Sequence, residues 1–413
     1  MRRDLNLLAI GLAVSTAGDA AALVALLLRL QPHGSGWVAG LLAAELIPYV
    51  VLAPLTGRVV DRFETRSVLL VALAGQAVLC VPLAFATNLG AIIALFAAVT
   101  ALSAFVRPAT AAMVPAIVAE GSAQKGYARL AAGTGLGWIA GPAAGGLLTG
   151  AFSPTVAILV DAATFALLTL ACTGVRARRR PVPHAGTEAG GKERKSQGGL
   201  RLIFADSVLR TALIGSAIAI SAGVIDNVAA PFRFVEQLGA SDSGYGLYLT
   251  LWGAGALAGA QLVPRIRLLP QTILALGNLL GGAGIAGIGL APNLGLAFVA
   301  SALGGIGNGF LNVSQNALIS GRTPQAQHGR AFAASGALIQ TAIGVGTAAA
   351  SPLVALLHAD GAMITAGALT CVISAIALAM TRRAEEPADE MINPDLGDLS
   401  GRASGRINPP NQG

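Results

Sequence analysis

Four carboxylates stand inside long apolar stretches: Asp19 in "STAGDAAALV", Glu45 in "LLAAELIPYV", Asp161 in "AILVDAATFA" and Asp226 in "SAGVIDNVAA". An aspartate at the centre of an inserted helix costs about 2.5–3.5 kcal/mol on translocon scales. An acid kept at that cost either takes up and releases a proton, contacts a polar ligand, or is satisfied by a local partner. Asp19 lies mid-run between Gly18 and Ala20, with room for water or a ligand to reach it, and is the first choice as a proton carrier. Glu45 suits coupling or ligand contact. Asp161 has Thr164 three residues on as a local hydrogen-bond partner. Asp226 is nearer the outer end of its run, where solvent is expected to reach it.

A second polar set is uncharged. Asn308, Asn312, Gln315 and Asn316 fall on one helical stripe, and Gln340 and Gln76 lie in other apolar runs. Amides facing a cavity suit a polar, uncharged or zwitterionic compound; amides facing a neighbouring helix hold the two together. Aromatic residues make up only 5% of the chain, which argues against an aromatic-rich pocket. Enzyme chemistry has no constellation here. His33, His184, His328 and His358 sit near the ends of runs, and Cys80, Cys172 and Cys371 read as buried thiols without disulfide or metal roles. "GTEAGGKE" (186–193) approaches a phosphate loop but ends in Glu193 where a hydroxyl should hold Mg²⁺, and it follows no strand. No metal and no cofactor are expected.

The elements that must carry these residues are membrane helices. The chain has 413 residues, 54% hydrophobic and 11% charged, and its mean hydropathy is +0.69. A soluble domain carries about 25% charged residues. A helix that crosses a bilayer needs about 20 apolar residues. Twelve runs qualify, at 5–29, 36–56, 67–87, 90–113, 127–150, 154–175, 208–230, 243–263, 271–290, 293–319, 330–357 and 361–381. They are continuous rather than alternating, which excludes a membrane β-barrel. The first run has a basic start but no small-residue cleavage site, and reads as a retained helix rather than a signal peptide.

The net charge of +7 reports topology. With alternating spans, nearly every Lys and Arg falls on one face; Arg29 and Arg233 lie near the other, and Arg107 lies inside a run. The positive-inside rule makes that face cytoplasmic, together with both termini. The basic excess then implies contact with anionic lipid headgroups rather than nucleic acid. Residues 1–175 and 207–381 form two six-helix bundles on this reading. They are joined by a cytoplasmic linker, 176–206, and followed by a disordered cytoplasmic tail, 382–413. The halves repeat: Gly57 corresponds to Gly259, "GYAR" (126–129) to "HGR" (328–330), and "STAGDA" (15–20) to "SAGVID" (221–226). Repeated halves with a site between them are a common plan of secondary transporters.

Charge concentrates in "LTGRVVDRFETRSVLL" (55–70), between the second and third runs. Gly57, Asp61 and Arg62 in this stretch resemble motif A of the major facilitator superfamily. "GWIAGPAAGG" (137–146) is similar to motif C of its antiporters, with Gly137, Gly141, Pro142, Gly145 and Gly146 in place. "FVRPATAAMVP" (105–115) and "DAATF" (161–165) resemble the branch that includes enterobactin exporters and macrolide-efflux proteins. The resemblance covers residues 5–381. It implies twelve transmembrane helices in two pseudo-repeated bundles of a monomer in a bacterial inner membrane. It also implies export of a small organic molecule (drug, antibiotic, siderophore or other metabolite) by alternating access and proton antiport. An importer or facilitator of the same fold, or a transport-inactive receptor or assembly protein, is the alternative. Within this fold, Asp61 is expected to bridge Arg107 and the start of span eleven when the cytoplasmic side is closed. Arg58, Arg62 and Arg66 read as headgroup contacts. Gly137, Gly141 and Gly145 follow small-xxx-small spacing, which admits a neighbouring helix, and Pro142 removes a helix hydrogen bond.

Overall fold

A computed structural model describes residues 2–118, 123–175, 199–324 and 327–385. The first half comprises α1 (Arg2–Leu30), α2 (Ser35–Arg62), α3 (Thr65–Phe85), α4 (Leu89–Ile117), α5 (Ala123–Ala151) and α6 (Pro154–Gly174). A short helix, α7, covers 199–205. It leads into α8 (Ser207–Gly223) and α9 (Ile225–Pro231), which continues through a π turn, Phe232–Gln237. The chain then runs through α10 (Asp242–Leu262), α11 (Pro270–Leu290), α12 (Leu294–Arg322) and α13 (His328–Glu385). The described residues contain no strand.

Ten helical stretches are long and apolar enough to cross a membrane. One of them, in α13, reverses at His358, whose φ of 58° lies in the left-handed region, and so supplies two spans. With α5, which matches α4 in length at 29 residues but is rich in glycine, the spans number twelve, as the apolar runs predict. Polar side chains close the first turns. Asn88 accepts from the Ala91 amide at 3.0 Å, Asn293 from Leu296 at 3.0 Å, and Asp206 from Leu209 at 2.8 Å.

Two boundaries differ from expectation. The second span does not end at residue 56: α2 continues to Arg62, and only Phe63 and Glu64 separate it from α3. Arg58, Asp61 and Arg62 therefore project from a helix rather than a loop. Neither Pro54 nor Gly57 ends it, and continued helix keeps the backbone satisfied through the headgroup region. The end of the expected linker is helical at 199–205. The rest of it, including "GTEAGGKE", and the tail from 386 lie outside the described residues.

Each helix sorts its faces. On α3, Val71 and Val78 are 71% and 69% exposed, whereas Leu69, Leu73, Gln76 and Cys80 are buried. The exposed valines form a lipid-facing side. Within the first half, α1 packs on α5 and α6, α3 on α4 and α6, and α2 on α4. In the second half, α8 and α11 pack on α13, and α10 and α11 on α12. Two seams join the halves, α5 against α10 and α2 against α13. These are equivalent contacts if the halves are exchanged by a pseudo-twofold.

The two outlying arginines show the same exchange. At the end of α1, the Arg29 guanidinium donates to the carbonyls of Ala84 (3.2 Å) and Ala86, where α3 ends. At the end of the α9 span, Arg233 donates to Ile288 (3.1 Å) and Ala291 (2.5 Å), where α11 ends. Each satisfies carbonyls that a helix C-terminus leaves without partners. Arg66 does likewise for α6, through the carbonyls of Cys172 (3.1 Å) and Thr173, so it is a cap rather than the expected headgroup contact. All three cysteines are free; Cys80 and Cys172 are buried and Cys371 half-buried.

Candidate functional site

The motif C glycines bring α5 onto the backbone of α1. A Cβ at Gly137 would lie 2.6 Å from the Ala13 carbonyl oxygen. At Gly141 it would lie 2.6 Å from that of Ala17, and at Gly145 2.6 Å from that of Ala21. Gly133 continues the row at 2.7 Å from Ala9. The spacing of four on both helices is what close small-residue packing requires. Gly146 faces the other half, where its Cβ would meet the Asp242 carbonyl oxygen at 2.5 Å and the Gly246 Cα at 2.9 Å on α10. Motif C therefore serves two contacts: Gly137, Gly141 and Gly145 bind α5 into its own half, and Gly146 forms part of the seam.

This packing fixes the face that α1 turns to the remaining helices. Gly18 lies against α6, where a Cβ would meet an Asp161 carboxylate oxygen at 2.5 Å. Asp161 is buried and accepts from the Thr164 hydroxyl at 3.2 Å, the partner that its i+3 spacing suggests. The Cys80 thiol lies 3.9 Å from its other oxygen. The next residue, Asp19, is half-buried and lies within electrostatic reach of Glu45 on α2. It is also within reach of Asp161. The structure thus brings three of the four predicted carboxylates, from α1, α2 and α6, into one cluster. Tyr49, one turn beyond Glu45, adjoins Asp19, Glu45 and Arg107 and is in hydrogen-bonding reach of Ser103. Ser103 accepts from the Gln76 amide. Sequence reasoning did not single out Tyr49 or Ser103, although the i, i+4 relation of Tyr49 to Glu45 was a usable signal.

The fourth carboxylate stands apart. Asp226, near the start of α9, is not solvated as expected but 4% exposed. One oxygen accepts from the Tyr248 hydroxyl at 2.8 Å.

Contacts between the halves gather at the end opposite the termini. The Gln31 amide donates to Glu236 there, and the hydroxyls of Ser35 and Ser351 lie 3.2 Å apart. Gly146 and Asp242 close the other seam at the same end. At the terminus end, Asp61 and Arg107 are exposed. The Thr100 hydroxyl donates to the Ala44 carbonyl at 2.8 Å and sets the register of the parallel helices α4 and α2. Arg107 then comes level with Val51, ten residues before Asp61, a rise of roughly 15 Å. Arg107 is within electrostatic reach of Tyr49, and Gly57 faces open space.

The amide stripe divides. Asn308 lines a cavity in the second half. Asn312 is exposed and donates back to the Asn308 carbonyl at 2.8 Å. Gln315 ties α12 to α13 through Ser335 at 3.2 Å, and Gln340 is exposed. Of the two roles open to such amides, Gln315 shows helix bridging and Asn308 cavity lining.

Two pseudo-repeated helical halves, seamed at one end and carrying carboxylates within their spans, define a polytopic membrane transporter. A sequence profile of the Major Facilitator Superfamily matches residues 8–269 and 211–397, and the chain belongs to that superfamily. Among characterised proteins it is similar to the multidrug efflux pump Tap of Mycobacterium tuberculosis (strain ATCC 25618 / H37Rv). The identity is 29% over 358 residues, covering 82% of this chain and 84% of that one. Tap of Mycobacterium bovis (strain BCG / Pasteur 1173P2) matches equally. Among solved structures, a mutant of the nucleoside transporter NupG superposes with a TM-score of 0.78 at 12% identity, covering 91% of this chain and 99% of that one. A POT family transporter bound to a thioalcohol-conjugated peptide gives 0.72 at 12% identity, covering 93% and 97%. At these identities the likeness concerns the fold.

Proposed function

We propose that this protein exports a small organic molecule from a bacterial cytoplasm across the inner membrane, by alternating access and in exchange for protons. The carrying observation is that Asp19 lies within electrostatic reach of both Glu45 and Asp161, between helices of the first half. The likeness to multidrug efflux pumps supports the outward direction and a drug-like substrate. The seams at the far end and the exposed Asp61 and Arg107 support a state open to the cytoplasm. Residues 1–175 and 207–381 act as the two moving bodies, and the protein works as a monomer. The test is transport by purified protein in proteoliposomes, with a substrate chosen from a toxicity panel in an efflux-deficient host. An imposed proton gradient should drive that substrate against its own gradient. Absence of any flux would favour a receptor, and accumulation in expressing cells would favour an importer.

Two further outcomes check this reading. A cysteine at position 190 should resist an impermeant thiol reagent added to intact cells and react after permeabilisation, because positive charge holds that segment inside. Ready labelling from outside would invert the topology. The second outcome concerns Asp61. On the proposed cycle, closure of the cytoplasmic side brings the start of span eleven, a helix N-terminus of positive partial charge, to Asp61. Asp61→Asn should lower transport about 10-fold or more, the effect of some 1.4 kcal/mol on the closed state. Substrate binding and abundance should be unchanged. Wild-type flux in Asp61→Asn would eliminate the latch.

A further inference from the structure

The second half carries an open-sided cavity of about 200 Å³ that the carboxylate cluster of the first half does not line. Its lining includes Asp226, Asn227, Tyr248, Trp252, Asn278 and Asn308. From these walls we infer that the cavity is a binding site for a compact organic cation, an alkylammonium group in particular.

Asp226 is 4% exposed, and while one carboxylate oxygen accepts from Tyr248, the other has no hydrogen-bond partner. Among the described residues, the electrostatic influences on Asp226 include no basic side chain. A buried acceptor without a partner is costly, and a ligand that supplies positive charge removes that cost. The remaining walls favour a soft, diffuse cation over a metal ion or a guanidinium. The Trp252 indole lies against Gly304, where a Cβ would sit 2.5 Å from its ring. The glycine is the space into which the indole fits, and an aromatic face fixed in that way attracts alkylammonium groups. Tyr248 stacks on Phe234 at a centroid distance of 4.3 Å and cannot swing away without breaking that stack. The Asn278 NH2 is committed to Ser216 at 3.0 Å and the Asn308 side-chain oxygen accepts from Asn312 at 2.9 Å, which leaves Asn227 and the Asn308 NH2 able to meet hydroxyl groups on the ligand. The volume admits a head group rather than a whole drug of large size.

The inference refines the proposed transport function by naming the chemistry of one substrate subsite, but its test needs neither flux nor a proton gradient. In full-length protein with Trp37→Phe and Trp138→Phe, Trp252 is the remaining tryptophan. Choline should change its emission saturably, whereas dimethylbutanol, the uncharged carbon isostere of choline, should do so at least about 10-fold more weakly. Asp226→Asn, with folding checked by thermal unfolding, should weaken choline to the level of the isostere. No saturable choline signal, equal response to the isostere, or unchanged choline affinity in Asp226→Asn would overturn the inference. If Asp226→Asn fails to fold, the comparison of the two probes on the parent protein decides alone. Choline binding without transport of any substrate would refute the exporter reading and leave the cation site standing.

Discussion

Asp19→Asn should reduce the steady-state accumulation ratio of the exported substrate to about 1, because a carrier without its proton site has no source of differential affinity between its two faces. Exchange of labelled for unlabelled substrate should persist, since exchange needs the conformational change but no net proton release. The dependence of transport on pH should vanish with the same substitution. The proposed function assigns this role to Asp19 over its neighbours. Asp161 is walled in by Gly18 and bonded to Thr164, so its environment is closed. Asp19 is half-buried and lies between that closed site and Glu45. If Asp19→Asn sustains a full gradient, the carrier is Glu45, Asp161 or Asp226, or the coupling ion is not a proton. Loss of exchange as well would assign Asp19 to substrate binding or folding, which a binding assay on purified protein separates.

The second large effect belongs to the glycine row. Gly141→Ala places a methyl 2.6 Å from the Ala17 carbonyl oxygen and 2.6 Å from the Ala20 methyl. Neither is the end of a flexible chain, so the helices must part. Overpacking of this kind costs about 1–3 kcal/mol. Gly141→Ala combined with Gly145→Ala should exceed either, because both push on the same pair of helices. Gly135→Ala, on the same helix but facing open space, should change stability by less than about 0.5 kcal/mol. Thermal unfolding in detergent reads all three. Gly146→Ala should behave differently, since its contact is with the other half. It should leave the unfolding temperature near that of the parent and raise labelling of a cysteine at Ser351 from outside, in a background without Cys80, Cys172 and Cys371. Equal fall in stability for Gly135→Ala and Gly141→Ala would remove the packing argument; parental labelling in Gly146→Ala would remove the seam argument.

The fold was legible because apolar length and charge placement are both one-dimensional signals. Twelve runs became twelve spans, and the break between the last two fell at His358, inside the expected gap. The close approach of α5 was legible too, since glycine at every fourth position has few other uses in a membrane helix. The end of α2 was not, because a charged helix and a charged loop have the same composition. The clustering of Asp19, Glu45 and Asp161 was hidden because it depends on rotation of three helices about their axes. Asp226 was misjudged for a related reason: depth along a run says nothing about which neighbours the side chain faces. Trp252 was passed over as one of few aromatics, although a single indole set against a glycine is enough for a cation face.

The capping arginines bear on how the chain is made. On the proposed orientation, Arg29 and Arg233 must cross the membrane against the rule that the other basic residues obey. Each finds its carbonyl partners only at the end of a helix synthesised some fifty residues later, α3 for Arg29 and α11 for Arg233. Until that helix arrives, the emerging hairpin carries an unsettled positive charge at its translocated end. The first three spans are therefore expected to leave the translocon as a group rather than one by one, and the corresponding three of the second half to repeat the event. Truncation after α2 should leave a product that inserts in mixed orientations, and extension through Ala86 should resolve it to one.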